Sequence, residues 1–284
     1  MSCFAIQGKS KIMKLAVAIA SKEALPNAFV VFRGVKESII KAHELGYDGV
    51  ELALKHPNEV NKHELKQWLR ENSLEVSAIS SGQVFAARGL HFTDENQENR
   101  AELYKTFCEF IDLAGEFGSL VNIGRTRGPI AGRDIALVER LFLDMAHKVA
   151  DHAEKRGVEL ILEPVNRYEI DFINNLDECT AMLKKVNRKN FFMMPDVFHM
   201  NIEDDKIGES FIRNKEYVRY VHFADTNRHA PGDGHMNWKE IFEALTAIGY
   251  DGWTTAEILP YPDPDTAAKR TIAFLKEHYG KYYR

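Results

Sequence analysis

The chain lacks most of the features that would set it apart from ordinary cytoplasmic proteins. It has three cysteines, Cys3, Cys108 and Cys179, far apart and without a CxxC pair. That excludes a disulfide scaffold and a thiolate zinc framework, and the three read as reduced cytosolic thiols. There is no basic excess: 37 Lys and Arg stand against 42 Asp and Glu, a net charge of −5. Nucleic-acid binding needs a cationic footprint that this balance does not supply. No apolar run approaches the roughly 20 residues that cross a bilayer, so no membrane partner is expected. The first stretch, Met1–Lys14, is mixed and polar, without a signal-peptide pattern, and contains Met13 as a second candidate start. The segment Ser21–Phe32, after the first apolar run, lacks GxGxxG and with it the dinucleotide-binding fingerprint. No linker, low-complexity segment or charge block divides the chain.

What is present is ordinary in amount and regular in pattern. Apolar residues make up 45% and charged residues 28% of 284 residues, enough for a sizeable core. Short apolar runs alternate with amphipathic stretches of about ten to twenty residues. Strands are expected at 14–20, 49–54, 75–80, 120–124, 158–163, 191–197, 218–224 and 253–258. Helices are expected at 36–45, 62–71, 93–118, 134–156, 177–186, 205–214, 238–248 and 265–279, with Gly46, Gly118, Gly157 and Gly249 as stops. Residues 81–92, with Gly82 and Gly89, read as a loop. Parallel strands need crossovers, and eight strand–helix units in strict alternation close into a (β/α)8 TIM barrel. The expected organisation is an N-terminal extension, residues 1–13, and one α/β barrel domain, residues 14–284.

Catalysis in such a barrel collects at the carboxyl ends of the strands. The fifth strand ends on Glu163, the sixth on Asp196 with His199 three residues on. The seventh carries His222, with Asp225, Arg228 and His229 beyond, and the eighth carries Glu257. Singly, each has a bland explanation: a strand-end Glu or Asp is more often a loop salt bridge, and a strand His a hydrogen-bonded core residue. Together they put three carboxylates and an imidazole at equivalent ends of four successive strands. Buried carboxylates are costly unless paired or metal-bound, and a divalent cation is the usual remedy for three. Three carboxylate oxygens and one nitrogen, with room for two more oxygens, favour one Mn²⁺ ion, with Mg²⁺ or Co²⁺ as alternatives; Zn²⁺ fits less well.

Several segments carry a resemblance: Glu163–Glu169 (EPVNRYE), Asp196–Asn201 (DVFHMN), His222–Arg228 (HFADTNR), Pro231–Trp238 (PGDGHMNW) and Ala256-Glu257. Thr93-Asp94, Arg100 and the long helix ending at Gly118 also fit. The chain resembles the xylose-isomerase-like sugar isomerases and epimerases, most nearly the ketose 3-epimerases of the D-tagatose 3-epimerase type, over most of its length and most strongly between residues 158 and 258. The resemblance implies that Glu163, Asp196, His222 and Glu257 hold the metal, and that Glu163 and Glu257 also act as opposed acid/base groups. It implies substrate contacts from Glu169, His199 and Arg228 near C1 to C3 of a free ketose, and a homodimer or homotetramer.

Other residues stay open. Glu51 either lines the pocket or makes a structural pair, and Asp225 either orients a neighbour or ligates. Arg125 and Arg127 are either solvated loop charges or receptors for a substrate carboxylate or phosphate. Phe85, His91 and Trp253 are candidates for an apolar pocket wall, although barrel aromatics are mostly core. The same barrel and metal site also host aldose–ketose and hydroxypyruvate isomerases, inosose dehydratase and sugar-phosphate epimerases. Endonuclease IV shares the barrel but needs several metals and extra histidines, and the acidic net charge argues against it. A non-catalytic sugar-binding protein would be expected to have lost a base or a ligand, and both glutamates are present.

Overall fold

The computed structural model describes the backbone of residues 13–282 and side chains through residue 278. The expected extension lies outside the described residues except for Met13, which is buried in the core. Eight parallel strands make the barrel: β1 (Lys14–Ala20), β2 (Gly49–Ala53), β3 (Glu75–Ser80), β4 (Leu120–Ile123), β5 (Leu160–Leu162), β6 (Phe191–Met193), β7 (Tyr220–Phe223) and β8 (Trp253–Ala256). They run in the order β6-β5-β4-β3-β2-β1-β8-β7, and a two-residue strand, Phe32–Arg33, pairs beside the end of β1. The barrel closes between β6 and β7 through two parallel bridges, Met193 with Val218 and Asp196 with His222. At the second bridge the His222 N–H donates to the Pro195 carbonyl at 2.9 Å.

Side chains alternate across each strand, and the alternation separates the outer core from the barrel interior. Val17, Ile19, Val50, Leu52, Ile79, Val121, Ile123, Leu160, Leu162, Val221 and Phe223 join the main cluster, between the barrel and its helices. Their neighbours Ala78, Ile161, Met194 and Tyr220 form a separate cluster, with Leu120, Phe192 and Trp253 against it. This second set fills the barrel interior. Counting two residues toward the carboxyl end from Ile161, Met194, Tyr220 and Thr255 gives Glu163, Asp196, His222 and Glu257. The metal-type residues are therefore the next interior layer, where the packed core gives way to the mouth.

The helices are α1 (Val35–Leu45), α2 (Lys62–Asn72), α3 (Gly82–Arg88), α4 (Gln97–Phe117), α5 (Ile135–Arg156), α6 (Leu176–Val186), α7 (Val197–Glu203), α8 (Ile207–Arg213), α9 (Trp238–Ala247) and α10 (Pro264–Tyr282). In α5, Val138, Phe142, Met145, Ala146, Val149, Ala150 and Ala153 are buried, one stripe of a 3.6-residue helix. Asp134 caps its start through the Ala136 N–H, and Gly157 ends it at φ 67°, a left-handed conformation that glycine adopts without strain. None of the described helices is long and apolar enough to cross a membrane.

Two short helices replace expected loop or strand. In α3 the two glycines that read as loop punctuation bracket a helical turn, Gly82 at its start and Gly89 as its left-handed cap. At the other, β6 stops at Met193, and Asp196 accepts the Phe198 N–H at 2.9 Å as the cap of α7. Helix α4 begins at Gln97, four residues later than expected, because Asn96 rather than Thr93 supplies the capping oxygen.

Helix α7 ends on Asp204, whose Oδ2 is buried without a hydrogen-bond partner. Burial pushes this carboxyl up to about 6, against a hydrogen bond from Ser210 that works the other way. The folded protein then keeps a proton that the unfolded chain releases near pH 4, so stability falls as pH rises from about 4 to about 6, by up to roughly 1.4 kcal/mol per pH unit. Asp204→Asn removes this loss. Urea unfolding of both proteins at about pH 4 and about pH 7 should show the variant gaining stability relative to wild type at the higher pH. An equal difference at both pH values would contradict the assignment.

Candidate metal centre and substrate pocket

One ligand atom from each of Glu163, Asp196, His222 and Glu257 lies within 4.8 Å of the others. The His222 Nδ1 stands 3.4 Å from Glu163 Oε1, 3.7 Å from Asp196 Oδ2 and 3.5 Å from Glu257 Oε2. That nitrogen is buried and has no hydrogen-bond partner. The other ring nitrogen, Nε2, is 2.8 Å from Glu51 Oε2, which also accepts the Tyr220 hydroxyl at 2.8 Å. The Glu51 carboxylate accepts at Nε2, so Nδ1 is the ring atom turned toward the three carboxylates. A buried imidazole oriented by a carboxylate behind it is how proteins present a metal ligand. The donor set, three oxygens and one nitrogen, suits a divalent cation.

Beneath the cluster the polar groups are tied off. The Tyr220 hydroxyl meets Ser77 Oγ at 2.7 Å and also bonds Thr255 Oγ1. Asn122 Nδ2 donates to Glu163 Oε2 at 3.1 Å. Gly124 leaves the space this carboxylate needs, since a Cβ there would stand 2.7 Å from Glu163 Oε2. Opposite, the Arg228 guanidinium donates to Asp196 Oδ2 at 2.6 Å and to Glu257 Oε2. It is flanked by the rings of Phe29 and Phe198, 4.9 and 4.7 Å from their centroids.

These contacts pull the acid groups apart. Burial pushes the Glu163 carboxyl up, and the charge of Glu257 adds to this against the pull of His222. Burial acts on Glu257 in the same sense, but His222 and Arg228 outweigh it and hold that carboxyl below the usual range. Asp196 is held well down in spite of its burial by Arg228 and His199. Burial brings His199 down to about 4, which keeps its ring neutral. Burial opposes a charge on His222, yet Glu51 and Glu257 hold its ring well above the ordinary imidazole value. A cation at Nδ1 would take over that balancing charge.

Above the cluster is a small cavity of about 50 Å³ that opens to solvent. Glu169, His199 and Arg228, the three expected substrate contacts, line it together with Glu163 and Glu257. His199 Nδ1 bonds the Asn166 amide at 2.8 Å, which points its Nε2 back toward Glu163 and Asp196, at 3.9 and 3.7 Å. Ala28, Phe29, Ser80, Gly82, Gln83, Arg125 and Val165 complete the wall.

Four open readings are resolved by this arrangement. Asp225 does not belong to the cluster; it accepts the N–H groups of Thr226, Gly232 and Met236 and the Trp238 indole at 2.8–3.0 Å, tying down the loop that carries Arg228. Phe85, His91 and Trp253 do not line the pocket, and Phe29 supplies its aromatic surface instead. Arg127 is neither solvated nor free to bind an anion. It is fully buried and donates to the carbonyls of Gly124, Glu163, Val165, Phe172 and Ile173. Glu51 takes the structural pairing, with His222 and Tyr220, and sequence reasoning missed the supporting residues Tyr220, Asn122 and Asn166. The interior parity of Tyr220 and Asn122 on their strands was the signal that could have found those two.

Residues 39–278 match the profile of the Xylose isomerase-like TIM barrel family, and the chain belongs to that family. It is similar to an L-ribulose 3-epimerase of Methylomonas sp. (strain DH-1), 29% identical over 273 residues that cover 87% of this chain and 92% of that one. A ketose 3-epimerase of Arthrobacter globiformis is 30% identical over 77% of this chain and 75% of its own length. Relatives so named over most of both chains place this chain among the isomerase and epimerase enzymes. A solved D-allulose 3-epimerase from Methylomonas sp., in complex with D-allulose, superimposes with a TM-score of 0.80 over 94% of this chain and 97% of that chain; at 24% identity this likeness speaks to fold alone.

Arg127→Met takes the guanidinium from five buried carbonyls; Gly124 keeps the backbone N–H of residue 127 and Val165 keeps the Asn174 amide, which leaves Glu163, Phe172 and Ile173 to bear the loss. The expected cost is about 3 kcal/mol or more, since each unsatisfied buried group carries its own desolvation penalty. Urea unfolding at neutral pH measures it; a loss under about 1 kcal/mol would show that the carbonyls find other partners.

Proposed function

We propose that the protein is a divalent-metal-dependent ketose 3-epimerase with Glu163 and Glu257 as its two acid/base groups. The observation that carries the reading is the convergence of Glu163, Asp196, His222 and Glu257 within 4.8 Å under a pocket that both glutamates line. The names of the relatives, ribulose and ketose 3-epimerases, point the same way.

A cation held by Glu163, Asp196, His222 and Glu257, manganese by the hardness of the donor set, supplies Lewis-acid stabilisation of negative charge on substrate oxygens. The rest falls to side chains. Epimerisation needs the C3 proton, weakly acidic beside the C2 ketone, to leave from one face and a proton to return on the other. Glu163 on β5 and Glu257 on β8 come from different sides of the mouth and can serve opposite faces. One takes the C3 proton, the C–H electron pair passes into a C2–C3 enediolate, and the other glutamic acid protonates C3 from the far face. Solvent exchange then resets the two carboxyls. Glu169, His199 and Arg228 hold the oxygens near C1 to C3, and neutral His199 can donate to one of them. The Arg228 guanidinium places positive charge where the enediolate develops.

Turnover of ketopentoses and ketohexoses is expected only with a divalent ion present, and chelation followed by Mn²⁺ addition should abolish and restore it. Glu257→Gln should lower the epimerisation rate by about 10²–10⁴-fold. In D2O, deuterium incorporation at C3, followed by NMR, reports the proton transfers directly. Metal-independent turnover, or normal epimerisation by the Glu257 variant, would falsify the two-base reading.

A further inference from the structure

The two arginines of the short 3-10 turn after β4 meet different fates. Arg127 is consumed by five backbone carbonyls. Arg125, two residues earlier in the same turn, faces the pocket, where its side chain keeps 27% of its exposure. Its guanidinium donates no hydrogen bond among the described residues. Its contacts are a loose ion pair, 3.8 Å to Glu169 Oε2, and the Phe85 ring, 5.9 Å away. The other pocket cation, Arg228, by contrast donates through both terminal nitrogens, to Asp196 and Glu257.

A guanidinium is a planar fork of five donors that matches a carboxylate or phosphate. Had Arg125 served only to hold Glu169, a hydrogen-bonded, two-pronged contact would be expected; the observed separation leaves the fork open. On the 3-epimerase reading, Arg228, bonded to the base Glu257, goes with the C2 and C3 oxygens, which leaves C1 to Glu169 and to Arg125 beside it. Burial pushes the Glu169 carboxyl up against the pull of Arg125, so a second anion there meets a group inclined to keep its proton.

We propose that Arg125 reads an anionic group at C1 of the substrate, so that the preferred ketose is a 2-oxo acid or a ketose 1-phosphate rather than a neutral sugar. This rests on the 3-epimerase reading for the orientation of the sugar. The shared chemistry is a planar or tetrahedral oxyanion one bond from the reacting carbonyl, or one ester link further out. Ser80 and Gln83 on the same wall are polar and tolerate it, although the Gln83 amide is already committed to the Ala53 carbonyl.

The test compares three substrates of one chain length with the Mn²⁺-loaded enzyme: the neutral ketose, the 2-oxo-aldonate and the ketose 1-phosphate. Wild type is expected to favour one anionic substrate by about tenfold or more in kcat/KM, and which one distinguishes carboxylate from phosphate. Arg125→Gln is expected to lower that preference by about tenfold, to near parity, with Arg125→Lys recovering part of it, because an ammonium keeps the charge and loses the fork. Equal kcat/KM for neutral and anionic substrates in wild type, or an unchanged ratio in Arg125→Gln, overturns the proposal. Calorimetric binding of the same three compounds to Glu257→Gln, with and without Arg125→Gln, separates the two readings. Anion binding that depends on Arg125 without turnover of any sugar by wild type sinks the epimerase and keeps the anion site. Turnover of ketoses with no Arg125-dependent anion preference does the reverse.

Discussion

Three carboxylates cannot be packed into one barrel mouth without compensating positive charge. Isolated, each would be expensive to bury; together they also repel. The compensation comes from His222, whose Nδ1 stands within 3.7 Å of all three, and from Arg228, which bonds two of them. Glu51 lies behind His222 and makes the arrangement directional, because it accepts at Nε2 and leaves Nδ1 facing forward. A neutral isostere of Glu51 would satisfy the hydrogen bond but not help to hold a charge on the ring. The buried network below, Ser77, Tyr220 and Thr255, is what fixes Glu51 in turn.

The fold was legible because the strands obey their alternation. Each expected strand lies within a residue or a few of the observed one, and the residues that end them inward are the cluster. The helices α3 and α7 were not legible, for opposite reasons. Gly82 and Gly89 mimic a loop although they flank a helical turn, and Pro195-Asp196 continues an apolar run although Asp196 is a helix cap. Glu51 is an interior residue in mid-strand, paired in register with Ala18 on one side and Ala78 on the other. Its partners come from β7, 169 and 171 residues away, a separation that no local pattern carries.

Support for the site is built from backbone as much as from side chains. Arg127 gathers carbonyls from both the β4 turn and the segment after β5, so the strand end bearing Glu163 is tied to its neighbour. Asp225 does the same beyond β7, collecting four donors from the loop that turns back toward α9. Within that loop Arg228 has φ 61°, a left-handed conformation that costs a non-glycine residue free energy. The surrounding bonds hold it there: its N–H donates to the Asp225 carbonyl at 2.8 Å, and its carbonyl accepts from Leu259 at 2.7 Å. The conformation is one that only a tightly bonded loop sustains, and it is what aims the guanidinium at Asp196 and Glu257.

The contrast between the two arginines after β4 shows where specificity and stability part within a few residues. In a barrel, side chains that fill the layers below the mouth are constrained by packing, whereas those on the loops above it are constrained only by what they meet. Arg127 points into the wall and has every donor of its fork engaged by the protein. Arg125 points into the cavity, and the protein engages it only across 3.8 Å. A charge half withdrawn from water and not repaid by the chain itself favours an oppositely charged ligand over a neutral one of the same shape, because only the former replaces the lost hydration. The metal-type cluster lies in the packed interior layer, and Arg125, two positions from a structural arginine, lies on the loop above it, where packing constrains a side chain least.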